Sequence, residues 1–161
     1  MRQLWAPWRM AYVGSASEQR DGCFLCSAAA ADGETAELVV DRGELTVTLL
    51  NRFPYSSGHL MVAPRRHTPD LPSLTDAEGA AAFLATRRAL RALIAAMGPD
   101  GFNIGINHGL AAGASVEHFH QHVVPRWSGD TNFMPVVGDV KVLPEHIETT
   151  AQRLREAFAA L

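Results

Sequence analysis

Apolar positions recur along this chain with two periods, and the period changes where glycine and proline interrupt. Val39 to Asp41 and Glu44 to Leu50 are short apolar runs about an Arg42-Gly43 turn, and they read as two strands. Asn51 to Gly58 carries Pro54 and Gly58 and reads as a loop before a third strand, His59 to Pro64. Thr75-Asp-Ala-Glu78 is a capping-box pattern that opens a helix. Phe83, Leu90, Leu93, Ile94 and Met97 recur near helical spacing and are expected to form its buried stripe, up to a stop at Gly98-Pro99. Phe102, Ile104 and Ile106 alternate with Asn103, Gly105 and Asn107, which predicts a strand over 101–107. A further strand is expected over 116–124, and Ile147, Ala151, Leu154 and Phe158 predict a C-terminal helix. Residues 1–36 show little periodicity and read as an irregular arm with a short helix near Ser27 to Ala31.

This order predicts an α+β fold: an antiparallel sheet with one long helix and a C-terminal helix. The helices are too few to cover both faces of a parallel sheet. At 161 residues the expectation is one domain, with an arm over 1–36, a core over 37–125, and a tail and helix over 126–161. Apolar content of 47% and charged content of 19% fit a globular protein. The net charge of −3 argues against a general nucleic-acid or anionic-membrane binder. Met1 to Val13 does not read as a signal peptide and no apolar stretch is long enough to span a membrane, so a cytoplasmic location is expected by default.

The chemistry concentrates in His118-Phe119-His120-Gln121-His122. Alternate positions on a strand share a face, so all three imidazoles are expected on one side. Imidazole can act as nucleophile, proton carrier or metal ligand near neutral pH. Neighbouring same-face side chains stand about 6.6 Å apart along a strand. Convergence of all three on one ion is therefore awkward, and a division of roles is easier. Asn107 to Ser115 forms a small-residue loop just before them. Its backbone N–H groups near Gly113 and the Ser115 hydroxyl suit phosphate oxygens. The two cysteines, Cys23 and Cys26, read as half a metal site or a redox pair. Their place before the first strand, outside any βαβ unit, favours metal.

The histidine pattern, Cys23-x-x-Cys26, Gly58-His59 through Pro64-x-x-His67, and Asn107 with Gly113-Ala-Ser115 together resemble the histidine triad (HIT) superfamily of nucleotide hydrolases and transferases. Leu4-Trp-Ala-Pro-Trp-Arg-Met10 and Pro125-Arg-Trp127 through Pro135 look like its bacterial diadenosine tetraphosphate (Ap4A) phosphorylase branch. The resemblance implies His120 as nucleophile, forming a covalent nucleotidyl-histidine, with its other ring nitrogen donating to the backbone carbonyl of His118. It implies His122, Ser115 and the backbone near Gly113 as ligands of the phosphate oxygens. Asn107 becomes a phosphate or ribose contact, and His59 a supporting partner of the triad. Cys23, Cys26, His67 and His118 become the ligands of a structural Zn²⁺. The implied reaction converts Ap4A and inorganic phosphate to ADP and ATP. Water as acceptor, on dinucleoside polyphosphates or adenylyl phosphoramidates, is the alternative within the fold. A non-catalytic nucleotide-binding module is the alternative outside it.

A homodimer is expected through residues 75–97 and the strand near residue 104. Gln121 stands where the superfamily usually has a hydrophobic residue, and is a candidate contact to a dimer partner or a substrate tail. Trp5, Trp8 and Trp127 are candidates for purine stacking or for packing. Arg126 is a candidate for a distal phosphate. Arg65, Arg66, His108 and His146 are expected at the surface.

Overall fold

The computed structural model describes residues 22–30, 34–130 and 145–161. Five strands, β1 (Val39–Arg42), β2 (Thr46–Leu50), β3 (Leu60–Pro64), β4 (Gly101–Ile106) and β5 (Gln121–Arg126), form one antiparallel sheet in the order β1-β2-β3-β5-β4. A short helix, α1 (Phe24–Ala30), packs on one face; α2 (Asp76–Met97) and α3 (Ile147–Ala159) pack on the other. The expected α+β class is what the chain adopts. Alternation separates two cores. Leu50, Leu60, Val62 and Val123 meet α2 and α3, whereas Val47, Leu49, Met61 and Ala63 meet α1. Arg42 of β1 holds α1 down by donating to the Ala28 and Ala29 carbonyls at 2.6 and 3.1 Å. The proposed stacking residues Trp5 and Trp8 lie outside the described residues.

Several boundaries move for local reasons. The first hairpin turns at Glu44 and Leu45 rather than at Arg42-Gly43, because Gly43 N–H closes on the Thr46 carbonyl at 3.0 Å. The helix expected near Ser27 begins earlier, and Cys23 accepts from Ser27 N–H at 3.1 Å, so the Cys-x-x-Cys pair occupies its first turn. Arg66 is not a loose surface charge. Its guanidinium grips both oxygens of Glu78 at 2.7 Å, and the Ser73 carbonyl at 3.0 Å. Glu78 also closes the capping box with Thr75, so β3 is tied to the start of α2 next to His67. That guanidinium, with the Thr75 N–H, holds the Glu78 carboxyl down to about 2.

The buried stripe of α2 differs from the expected one. Ala82, Thr86, Ala89, Ala92 and Leu93 face the sheet, whereas Phe83 and Ile94 are 65% and 56% exposed. Leu90 and Met97 do pack against the core. Alanines allow the helix to lie close to the strands, and the larger apolar residues are left on its outer side. The loop before β3 needs the same closeness. Gly58 sits at φ +77, and a Cβ there would come within 2.7 Å of Met97 Sδ.

The histidine segment is only partly a strand. Ladder pairing begins at Gln121, opposite Val62 of β3 and Ile106 of β4. Upstream, Pro64 ends β3, and Arg65 N–H donates to Leu45 instead. His118, Phe119 and His120 therefore run beside the chain leaving β3, held by Phe119 N–H on the Thr68 carbonyl at 2.7 Å.

Close helix-to-sheet contact at Ala89, which is fully buried, predicts that Ala89→Leu lowers unfolding free energy by about 1–3 kcal/mol. Urea denaturation measures it; a change within about 0.5 kcal/mol would contradict the packing described.

Candidate active site and metal centre

Four metal-type side chains converge at the junction of α1, the segment after β3 and the histidine segment. The ligand atoms of Cys23, Cys26, His67 and His118 all lie within 4.8 Å of one another. Cys23 Sγ is 3.3 Å and Cys26 Sγ 3.6 Å from His118 Nδ1, and Cys26 Sγ is 3.3 Å from His67 Nδ1. Zinc bonds of about 2.3 Å to sulfur and about 2.0 Å to nitrogen put neighbouring tetrahedral ligands about 3.5 Å apart. The observed separations fit that figure. The protonation of His118 fits too. Its Nε2 lies 3.0 Å from the Pro64 carbonyl, which can only accept, so the proton is on Nε2 and the Nδ1 lone pair faces the sulfurs. Burial keeps this ring below its ordinary pKa, hence neutral. Burial and then the adjacent Cys23 sulfur push the Cys26 thiol up to about 11. A divalent cation is what would make two neighbouring thiolates favourable there. The donor set is complete and closed, suited to structural zinc.

The same residue reaches the second half of the site through its backbone. The His118 carbonyl lies 2.8 Å from His120 Nδ1. A carbonyl only accepts, so Nδ1 carries the proton and Nε2 keeps the lone pair. Burial holds the His120 pKa below the usual imidazole value, although the bond to His118 opposes that. The ring is therefore neutral near pH 7.

His122 is defined by a longer chain of donors. Tyr55 N–H donates to His59 Nδ1 at 3.1 Å. His59 must then carry its proton on Nε2, which lies 2.9 Å from His122 Nδ1. His122 Nδ1 accepts, and its proton sits on Nε2. Among the described residues, that Nε2 is buried and has no hydrogen-bond partner. Burial, then the neighbouring His120, lower the His122 pKa to about 4. The His120 and His122 rings meet edge-on with centroids 4.8 Å apart. A buried donor without a protein partner beside a neutral ring with a free lone pair can hold an anionic oxygen while the ring attacks.

The phosphate loop is arranged differently from expectation. Gly113 N–H already donates to the Leu110 carbonyl at 2.9 Å, and Ala114 N–H to Gly109 at 3.2 Å. Among the described residues, the exposed Ser115 hydroxyl and N–H have no hydrogen-bond partner. Asn107 Nδ2 donates to the Gly113 carbonyl at 3.3 Å and so braces this loop. Arg126, a candidate for a distal phosphate, is engaged within the chain. It is held by Asp130 at 2.6 and 2.8 Å and by Asn103 at 2.7 Å. Gln121 Oε1 accepts from Thr86 Oγ1 of α2 at 2.9 Å. His108 is exposed, 4.0 Å from Asp70, and His146 is exposed ahead of α3. Pro64 and Thr68 contribute through backbone atoms, which residue identity does not signal.

With this geometry established, similarity to known proteins becomes informative. Residues 32–129 match the HIT domain family. The chain belongs to the HIT family. A Mycobacterium tuberculosis protein named AP-4-A phosphorylase is 41% identical over 166 residues, covering 99% of this chain and 85% of that protein. The crystal structure of a zinc-bound histidine triad family protein from Mycobacterium smegmatis aligns with TM-score 0.72 and 30% identity. It covers 86% of this chain and 94% of that one. A Plasmodium falciparum diadenosine triphosphate hydrolase aligns at TM-score 0.60 with 18% identity over 77% of this chain and 76% of its own, a likeness of fold alone. Among the described residues, no helix of this HIT protein is long and apolar enough to cross a membrane.

The metal set predicts about one zinc per chain on elemental analysis. Cys26→Ser should lose most of it and melt at lower temperature. Zinc should also leave as pH falls, because protons compete for the thiolates. Undiminished zinc in the variant would contradict the ligand set.

Proposed function

We propose that this HIT protein is a nucleotidyltransferase that cleaves Ap4A by phosphorolysis to ADP and ATP through a nucleotide bound to His120. The observation that carries the reading is the pinned tautomer of His120. Its Nδ1–H is engaged by the His118 carbonyl, which leaves Nε2 to attack the α-phosphorus. A nitrogen–phosphorus bond forms, the bridging phosphorus–oxygen bond breaks, and ATP leaves. Inorganic phosphate then attacks the same phosphorus and releases ADP. Two displacements give ping-pong kinetics and retained configuration. The buried Nε2–H of His122 binds an oxygen on which charge develops, with Ser115 on the open side of the pocket. Zinc, when bound, supplies no step; it would hold Cys23, Cys26, His67 and His118 together and steady the carbonyl that fixes His120. Preference for phosphate over water is supported by the 41% identity to the M. tuberculosis AP-4-A phosphorylase.

The functional unit is a homodimer in the cytoplasm. Phe83, Leu84 and Ile94 on α2, with Ile104 and Ile106 on the edge strand β4, are exposed large apolar residues. Edge strands and apolar surfaces of this kind are normally covered.

Incubation with Ap4A should give ADP and ATP only when phosphate is present. AMP and ATP without phosphate would identify water as the acceptor, and no turnover would contradict an enzymatic role. His120→Gly should lower kcat/KM by at least about a thousandfold. Because only neutral His120 attacks and its pKa is held below 6.5, activity should persist as pH falls through that value and decline only beneath it.

For assembly, Phe83→Asp with Ile94→Asp should convert a dimer to a folded monomer in light scattering. An unchanged mass would exclude this face.

A further inference from the structure

We propose that the hydrogen bond between Thr86 and Gln121 is a positioning device for the two reactive histidines, acting from the opposite face of the sheet. This rests on the function proposed above. Gln121 is the one residue between His120 and His122, and it is the first residue of β5 to pair on both sides, with Val62 and Ile106. Strand alternation places its side chain on the α2 face when His122 is on the α1 face. There it meets Thr86, which is 5% exposed among Ala82, Ala89 and Leu93.

The proton count gives the bond a direction. Thr86 Oγ1 lies 2.9 Å from the Ala82 carbonyl and 2.9 Å from the Gln121 amide. A hydroxyl has one proton. The Ala82 carbonyl and the Gln121 Oε1 both accept, so the Thr86 hydroxyl shares its single proton between the helix backbone and the strand side chain. The apolar contacts between helix and sheet are thus joined by a directional bond, and it sits at the residue where the histidine segment enters the ladder. Apolar packing alone resists a slide along the strand weakly, whereas a slip by one residue would turn the histidines to the wrong face. A buried polar pair that is satisfied in only one arrangement opposes smaller shifts as well. Attack on phosphorus depends on such placement, since a misplacement of about 1 Å can reduce rate about a hundredfold.

The test separates placement from packing. Thr86→Val leaves the Gln121 amide facing an apolar group and should lower both melting temperature and kcat. Thr86→Val with Gln121→Leu removes both polar partners. Its melting temperature should recover toward wild type while kcat stays reduced about tenfold or more and KM changes by less than about twofold. Thr86→Ser, which keeps the hydroxyl, should retain kcat within about twofold. Recovery of kcat together with stability in the double variant overturns the proposal. If the double variant does not fold, Gln121→Met takes its place: the same loss of kcat supports the proposal, and wild-type kcat overturns it. If wild-type protein turns over no Ap4A, the functional reading fails by itself. Placement is then read from a crystal structure of the folded variant: displacement of the His120 and His122 rings by about 0.5 Å or more supports the device, and unmoved rings overturn it.

Discussion

His118 makes two connections at once, one through its ring and one through its backbone. Its ring donates to the Pro64 carbonyl and turns a lone pair toward two sulfurs, while its own carbonyl accepts the Nδ1 proton of His120. The first connection sets where the backbone lies at residue 118. The second uses that backbone position to decide which nitrogen of His120 keeps its electrons. A metal-type cluster and the proposed nucleophile are thereby coupled over one peptide unit, with no need for an ion to touch substrate.

Burial completes the arrangement. His59, His118 and His120 are all nearly inaccessible, and three charged imidazoles could not share that space. Burial keeps the His118 and His120 rings below their ordinary pKa, and each buried ring needs its donor and acceptor assigned. Backbone groups make the assignments: Pro64 for His118, His118 for His120, and Tyr55 for His59, which passes the order on to His122. Among the described residues, this relay ends on a buried Nε2–H with no protein partner. Burying an unpaired donor is costly, and the phosphate oxygen proposed above would satisfy it.

Alternation and caps made much of the fold legible. The β2, β3 and β4 patterns, the capping box at Thr75 and the Gly98 stop all led to the elements that form. The buried stripe of α2 did not, because hydrophobicity marks surfaces that leave water without saying whether they meet the sheet or another molecule. Phe83 and Ile94 satisfied the period and face outward; Ala82 and Ala89 carried a weaker signal and form the contact. Arg66 is at the surface as expected, but its ion pair with Glu78 was not legible, since nothing local shows that the two meet. In the site, the Cys-x-x-Cys pair was legible as half of a metal centre, and the resemblance to the HIT superfamily supplied His67 and His118. The 3₁₀ turn that engages the Gly113 N–H was not legible. The roles of Pro64 and Thr68 reside in main-chain atoms and leave no trace in residue type.

The central claim concerns where one proton sits. Imidazole nitrogen-15 NMR of the zinc-loaded protein near neutral pH reads it directly. The account predicts that His120 carries its proton on Nδ1 and has an unprotonated Nε2. A resonance showing His120 protonated on Nε2, with Nδ1 bare, would contradict it.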